Sequence, residues 1–214
     1  MTVFAPVFDP NRPVGFESRK SYAHRCTSGF WEKFITGPNV LDIGYRGGFH
    51  NSVPICAGAV GIELDHFYIE GAPVTADYDG LRLPMAASGS VDAVHSSHVL
   101  EHVQDDAASL REWWRVLRVG GHLITFVPHA YLYERRLTVP PSQWSGEHLR
   151  CYTPASLLAL VERVFSPNTY RIRHFQDNDR GYDYSLSLGE HPTGCLEIEL
   201  VLQKIAPPAW TVGP

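Results

Sequence analysis

Between Val40 and Gly48 the chain reads VLDIGYRGG, an apolar run that ends on Asp42 and passes into a turn holding Gly44, Tyr45, Arg46, Gly47 and Gly48. A strand that enters such a turn and then a helix offers unpaired backbone N–H groups and the positive helix end to a ligand, and small residues admit it closely. A nucleotide-like molecule is the expected guest. A dinucleotide fits poorly, because its fingerprint counted from Gly44 needs glycine at 46 and 49, where Arg46 and Phe49 stand. Further along, Glu63 and Asp65 follow a second apolar run, and Ser97 and His98 end a third, at the rim where α/β sheets place ligands. His98 either lines the ligand or is a structural partner within SSHVLEH; Glu101 is expected to cap or pair locally, and His102 to be structural on a helix. His129, at the end of a fourth run, and His148, ahead of a later helix, are the candidates for a general base; the alternative is a loop histidine held by backbone. Asp177, Asp179, Asp183 and His191 gather in FQDNDRGYDYSLSLGEHPTG. They read as a solvated turn, with a divalent-metal set as the alternative, and no metal ligands are assigned.

The elements that must position these residues follow from periodicity. VLDI, AGAVGIEL, VDAVHSS and HLITFV are short apolar runs bounded by Gly, Pro, Asp or Ser, the pattern of buried parallel strands. Between the last two, Leu110, Trp113, Trp114 and Leu117 recur at helical spacing, with Asp105 or Asp106 as cap and Gly120-Gly121 as stop. The tryptophan pair reads as core packing. A second helix starts at Thr153-Pro154 and presents Leu157, Leu158, Val161 and Phe165. LEIELVLQK alternates Leu196, Ile198, Leu200 and Leu202 with Glu197, Glu199 and Gln203, which predicts an edge or antiparallel strand with one wet face. Together these describe a Rossmann-like α/β sandwich with a mostly parallel seven-stranded sheet and an antiparallel C-terminal strand. Residues 1–38 are expected to be an N-terminal extension with a first helix, 39–205 the main domain, and 206–214 a flexible tail.

Composition narrows the function. The chain has 214 residues, 44% of them hydrophobic, which suits one globular domain. A formal net charge of -5 with scattered Lys and Arg argues against nucleic acid. Four widely spaced cysteines, Cys26, Cys56, Cys151 and Cys195, give neither a zinc knuckle nor a disulfide framework, so a reducing cytoplasm is the expected setting. No apolar run reaches the length of a membrane span, so no integral membrane contact is expected.

VLDIGYRGG resembles the first motif of class I S-adenosylmethionine-dependent methyltransferases, Asp-x-Gly-x-Gly-x-Gly: Asp42, Gly44 and Gly48 match, and Arg46 replaces the middle glycine. Either Arg46 pairs with the carboxylate of the cofactor's methionine end, or Gly47 alone keeps the turn. The resemblance implies that Glu63, 21 positions beyond Asp42, takes both ribose hydroxyls, with Asp65 as runner-up. It also implies that Asp77, beside Tyr78, meets the adenine amine. SSHVLEHV through LREWWRVLRVGGHLITFVPH is similar to the strand-helix-strand segment of the type 11 group, with Leu110, Glu112, Arg115, Val116, Leu117, Gly120 and Gly121 matching. The implied cofactor set is Asp42, Gly44, Tyr45, Arg46, Gly48, Glu63, Asp77, Tyr78, Ser97 and His98. Residues 129–153 lie where this fold places its acceptor-binding insertion. The tail from Asp177 to Lys204 looks like one found among methyltransferases of glycan biosynthesis, which implies a sugar or glycan hydroxyl as acceptor and an O-methyltransferase. A natural-product small molecule and a non-catalytic cofactor-binding protein are the alternatives.

Overall fold

The computed structural model describes residues 6–45, 51–64, 77–135 and 147–210, with backbone alone for residues 77 and 78. Two helices open the chain, α1 (Phe16–Thr27) and α2 (Phe30–Phe34), followed by strands β1 (Val40–Ile43), β2 (Val60–Leu64), β3 (Asp77–Tyr78) and β4 (Val91–Ser97). Then come α3 (Asp106–Val116), β5 (Leu117–Pro128), a π-helical turn (Ala130–Glu134), α4 (Pro154–Val164), β6 (Tyr170–Asn178) and β7 (Glu197–Lys204). The strands make one seven-stranded sheet in the order β3-β2-β1-β4-β5-β7-β6. Pairing is parallel from β3 to β5, and β7 runs antiparallel to both β5 and β6.

Alternation along each strand divides the core in two. Leu41 and Ile43 of β1 join Leu123, Leu200 and Leu202 on one face, beneath Trp113 of α3 and Leu157 of α4. Val40, Ile124 and Phe126 point to the other face, beneath Tyr22 of α1 and Trp31 and Phe34 of α2. The result is a three-layer α/β sandwich.

Asp105 caps α3 by accepting from the Ala108 N–H at 2.9 Å. Trp113 is fully buried and Trp114 packs on Phe165 with ring centroids 4.5 Å apart, so the pair is packing. The helix stops at Val116, short of Gly120-Gly121, because Leu117 turns extended and pairs with Val91. Lys204 Nζ donates to the carbonyls of Trp114 and Leu117 at 2.7 and 2.8 Å, satisfying acceptors that the helix end leaves open. Both glycines therefore lie in β5. The α4 helix begins with the expected Thr153 cap, which exchanges hydrogen bonds with Ser156, but its buried side chains are Leu157, Leu160 and Val161; Leu158 is only half-buried.

The wet face expected of β7 is a correction. Glu197 and Glu199 are 2% and 4% exposed, since β7 lies inside the sheet and α1 covers these side chains. Arg25 of α1 places Nη2 2.6 Å from a carboxylate oxygen of each. Among the described residues no helix is long and apolar enough to cross a membrane.

Candidate active site

Strand order reverses between β1, which leads outward to β2, and β4, which leads the other way to β5; their carboxyl ends diverge and leave a crevice. A cavity of about 240 Å³ fills it. Gly44 and Glu63 line it from the ends of β1 and β2, and Ser97 and His98 from the end of β4. Glu17 at the start of α1 closes one side, and Glu101, His102, Tyr133 and His148 close another.

At Gly44 the backbone has φ +72° and its N–H donates to the Ile62 carbonyl at 2.7 Å. A Cβ there would stand 2.1 Å from Val99 Cγ2, so the turn admits only glycine. Asp42 points away from the cavity to the α1–α2 face. Its carboxylate accepts from the Ile55 N–H at 2.8 Å and faces His95 Nδ1 at 2.6 Å. It therefore braces the strand-to-turn corner from behind. Tyr45 is buried against Gly61, whose missing side chain makes room for the ring. Arg46, Gly47, Gly48 and Asp65 lie outside the described residues, as do the side chains of Asp77 and Tyr78.

Glu63 is 1% exposed, and its Oε1 accepts from the Leu64 N–H at 3.1 Å. Ser97 is also buried, and its Oγ has no hydrogen-bond partner among the described residues. His98 adopts φ +55°, unusual for a side-chain-bearing residue, and its Nε2 lies 3.3 Å from Glu197. Burial pulls the His98 pKa down, but Glu197, Glu17 and Glu101 outweigh it and hold the ring above its ordinary value. The carboxylates around it thus favour the charged form of this ring at the end of β4.

Sequence reading missed how the next residues converge. Glu101 is fully buried, and both its carboxylate oxygens lack hydrogen-bond partners among the described residues. Its Oε1 lies 3.7 Å from His98 Nδ1, 3.7 Å from His102 Nε2 and 3.9 Å from His148 Nε2. His102 stands in the β4–α3 turn, not on a helix as expected, because α3 starts only at Asp106. Burial lowers its pKa. His148 donates from Nδ1 to buried Glu134 in the π-helical turn. The segment carrying His148 is stitched to the Glu101 turn: Leu149 N–H donates to the Glu101 carbonyl at 2.8 Å, and Arg150 donates to the carbonyls of Leu100 and Gln104 at 2.8 and 3.0 Å.

The two proposed bases thus part company. His148 reaches the cavity; His129 does not line it. His129 Nδ1 accepts from the Tyr131 N–H at 3.0 Å, and Nε2 lies 3.6 Å from Asp177. In the later loop Asp183 accepts from Ser185 N–H and Oγ at 2.9 and 2.6 Å, and Asp179 accepts from Tyr184, which are turn contacts. Where no metal ligands had been assigned, Glu101, His102 and His148 bring one ligand atom each to within 4.8 Å of one another.

Residues 41–125 match the family model described as a methyltransferase domain. A solved methyltransferase from Mesorhizobium loti is 17% identical, with a TM-score of 0.54 over 86% of this chain and 100% of that one. Another, from Aquifex aeolicus, is 13% identical, with a TM-score of 0.52 over 93% and 91%. The fold is that of S-adenosylmethionine-dependent methyltransferases. Among curated proteins, a demethylmenaquinone methyltransferase from Roseiflexus sp. (strain RS-1) is 32% identical over 116 residues, 44% of this chain and 48% of that protein. The chain spans about half the length of that relative.

Proposed function

We propose that this protein transfers the methyl group of S-adenosylmethionine to an acceptor bound in the cavity between β1 and β4. The observation that carries the reading is the meeting there of glycine-only Gly44, buried Glu63 and a Ser97 Oγ without a hydrogen-bond partner among the described residues. These residues fit the cofactor: a buried carboxylate accepts two hydrogen bonds from a ribose diol, and a side-chain-free turn lets the methionine end approach. Asp77 and Tyr78 are assigned to the adenine side, and Arg46 and Gly48 to the turn. When bound, the cofactor supplies an electrophilic methyl on a sulfonium. The chain's task is to orient the acceptor in line with that methyl and to shield the pair from water.

For the acceptor we favour a hydroxyl on a sugar or glycan precursor, supported by the resemblance of the Asp177–Lys204 tail. His148 is the base candidate that reaches the cavity: with Nδ1 donating to Glu134, its Nε2 keeps a lone pair for a hydroxyl proton. The curated relative, named for demethylmenaquinone, favours a second reading, a small cyclic acceptor outside carbohydrate chemistry. Incubation with methyl-labelled cofactor and a panel of nucleotide sugars, glycans and quinols separates the two. Label on a sugar hydroxyl supports the first reading, and label on a quinol the second. No transfer to any member, with no S-adenosylhomocysteine formed, removes both.

A further inference from the structure

Around Glu101 the cavity gathers two carboxylates and three imidazoles, with His98 Nδ1 3.7 Å from Glu101 Oε1 on the side facing β4. Glu101 and Glu134 are both buried, at 0% and 1% exposure, and among the described residues neither meets a lysine or arginine. Two buried carboxylates a single imidazole apart are costly unless something positive lies between them. His148 gives Nδ1–H to Glu134, so its other nitrogen presents a lone pair toward Glu101. His102 uses Nδ1–H on the Glu147 carbonyl at 3.2 Å, which turns its Nε2 the same way. Each ring is thus set in one tautomer, with Nε2 facing a common point beside the cavity.

We propose that Glu101, His102 and His148 form a binding site for a divalent transition-metal ion. Two imidazole nitrogens and one carboxylate oxygen suit zinc, cobalt, iron or nickel, whereas magnesium and calcium favour all-oxygen shells. An ion with ~2.1 Å bonds joins donors up to ~4.2 Å apart; Glu101 Oε1 lies 3.7 and 3.9 Å from the two imidazole nitrogens and all three donors fall within 4.8 Å of one another, so side-chain rotation closes the set. Glu134 is the outer partner that fixes His148, the arrangement commonly found behind metal-bound histidine. The ion's remaining coordination positions face the cavity, where they would take an oxygen of the acceptor; that last point rests on the methyl-transfer reading, and the ion site does not. Under this proposal His148 is a ligand and not a base.

The test titrates Co²⁺ into chelator-treated protein, followed by visible absorption, and Zn²⁺ by calorimetry. The expected result is one equivalent bound, with the intensified cobalt bands of a nitrogen-containing shell. Glu101→Gln and His148→Gln should abolish the bands, and Glu134→Gln should weaken binding by about 10- to 100-fold. Circular dichroism checks that each variant folds; if a ligand variant does not, Glu134→Gln decides, because it leaves all three ligands in place. Absence of stoichiometric binding overturns the site, as does binding that Glu134→Gln and the folded ligand variants leave unchanged. S-adenosylhomocysteine titrated in parallel separates the two ideas. Its binding without cobalt binding removes only the metal site, and cobalt binding without it removes only the methyl-transfer reading.

Discussion

Replacing Arg25 by methionine keeps the bulk of the side chain over Phe126, 3.8 Å below the guanidinium, and removes the charge that bridges Glu197 and Glu199. Both carboxylates remain buried and lose a contact at 2.6 Å each. Breaking a buried ion pair by removing one partner costs about 3–5 kcal/mol. Donors that stay behind, Asn178 Nδ2 at 2.9 Å from Glu199 and His174 Nε2 at 2.7 Å, place the expected loss near the lower limit, ~3 kcal/mol. Urea denaturation at pH 7 measures it. The sign of the pH dependence follows from Glu197, whose pKa burial pushes up but Arg25 and His98 hold down at about 2. Its stabilisation is present above the unfolded value of about 4.3 and is lost as pH falls toward 2 in the wild type. Without Arg25 the two carboxylates repel and bind protons more readily. The gap between variant and wild type should therefore narrow from pH 7 to pH 4. Adding Glu197→Gln and Glu199→Gln to Arg25→Met should recover much of the loss at pH 7. A loss under about 1 kcal/mol, or a gap that does not change with pH, would refute the buried-pair reasoning.

Two further substitutions probe the corner beneath the cavity. Gly44→Ala forces a side chain onto φ +72° and into Val99 Cγ2, so a stability loss of about 2–4 kcal/mol is expected, with partial recovery when Val99→Ala is added; an unchanged melting temperature would contradict the turn geometry. Asp42→Ala removes both the acceptor of the Ile55 N–H and the partner of His95, and should cost about 1.5–3 kcal/mol in urea melts. Its effect on S-adenosylhomocysteine affinity should be smaller than that of Glu63→Ala, since Asp42 lies behind the cavity. The reverse ranking would return Asp42 to the ligand.

Features legible in the sequence were local ones. Gly44, Glu63, Ser97 and His98 each stand at the end of an apolar run, and the parallel sheet brings such ends to one edge. Leu110 and Trp113 were readable for the same reason, through helical spacing. What stayed hidden depends on contacts between distant segments. Arg25 and Glu197 are 172 positions apart, and Glu197 and Glu199 alternate with leucines as solvent-facing residues do. Nothing short of the α1 packing shows that this face is covered. Likewise Glu101 and His148 come together only because Leu149 and Arg150 bind the backbone of the Glu101 turn, a link without periodicity. The stop of α3 was misplaced because Gly120-Gly121 looks like a helix end, whereas Gly121 is needed in β5, where a Cβ would stand 2.8 Å from the Asp92 carbonyl.

The central claim is that the β1–β4 cavity holds S-adenosylmethionine with Glu63 at the ribose, and calorimetry with S-adenosylhomocysteine tests it most directly. Wild-type protein should bind one equivalent. Glu63→Ala should keep the fold and weaken binding by about 2–3 kcal/mol, roughly 30- to 150-fold, the worth of hydrogen bonds to a charged group. No heat of binding by the wild type at millimolar ligand would contradict the account.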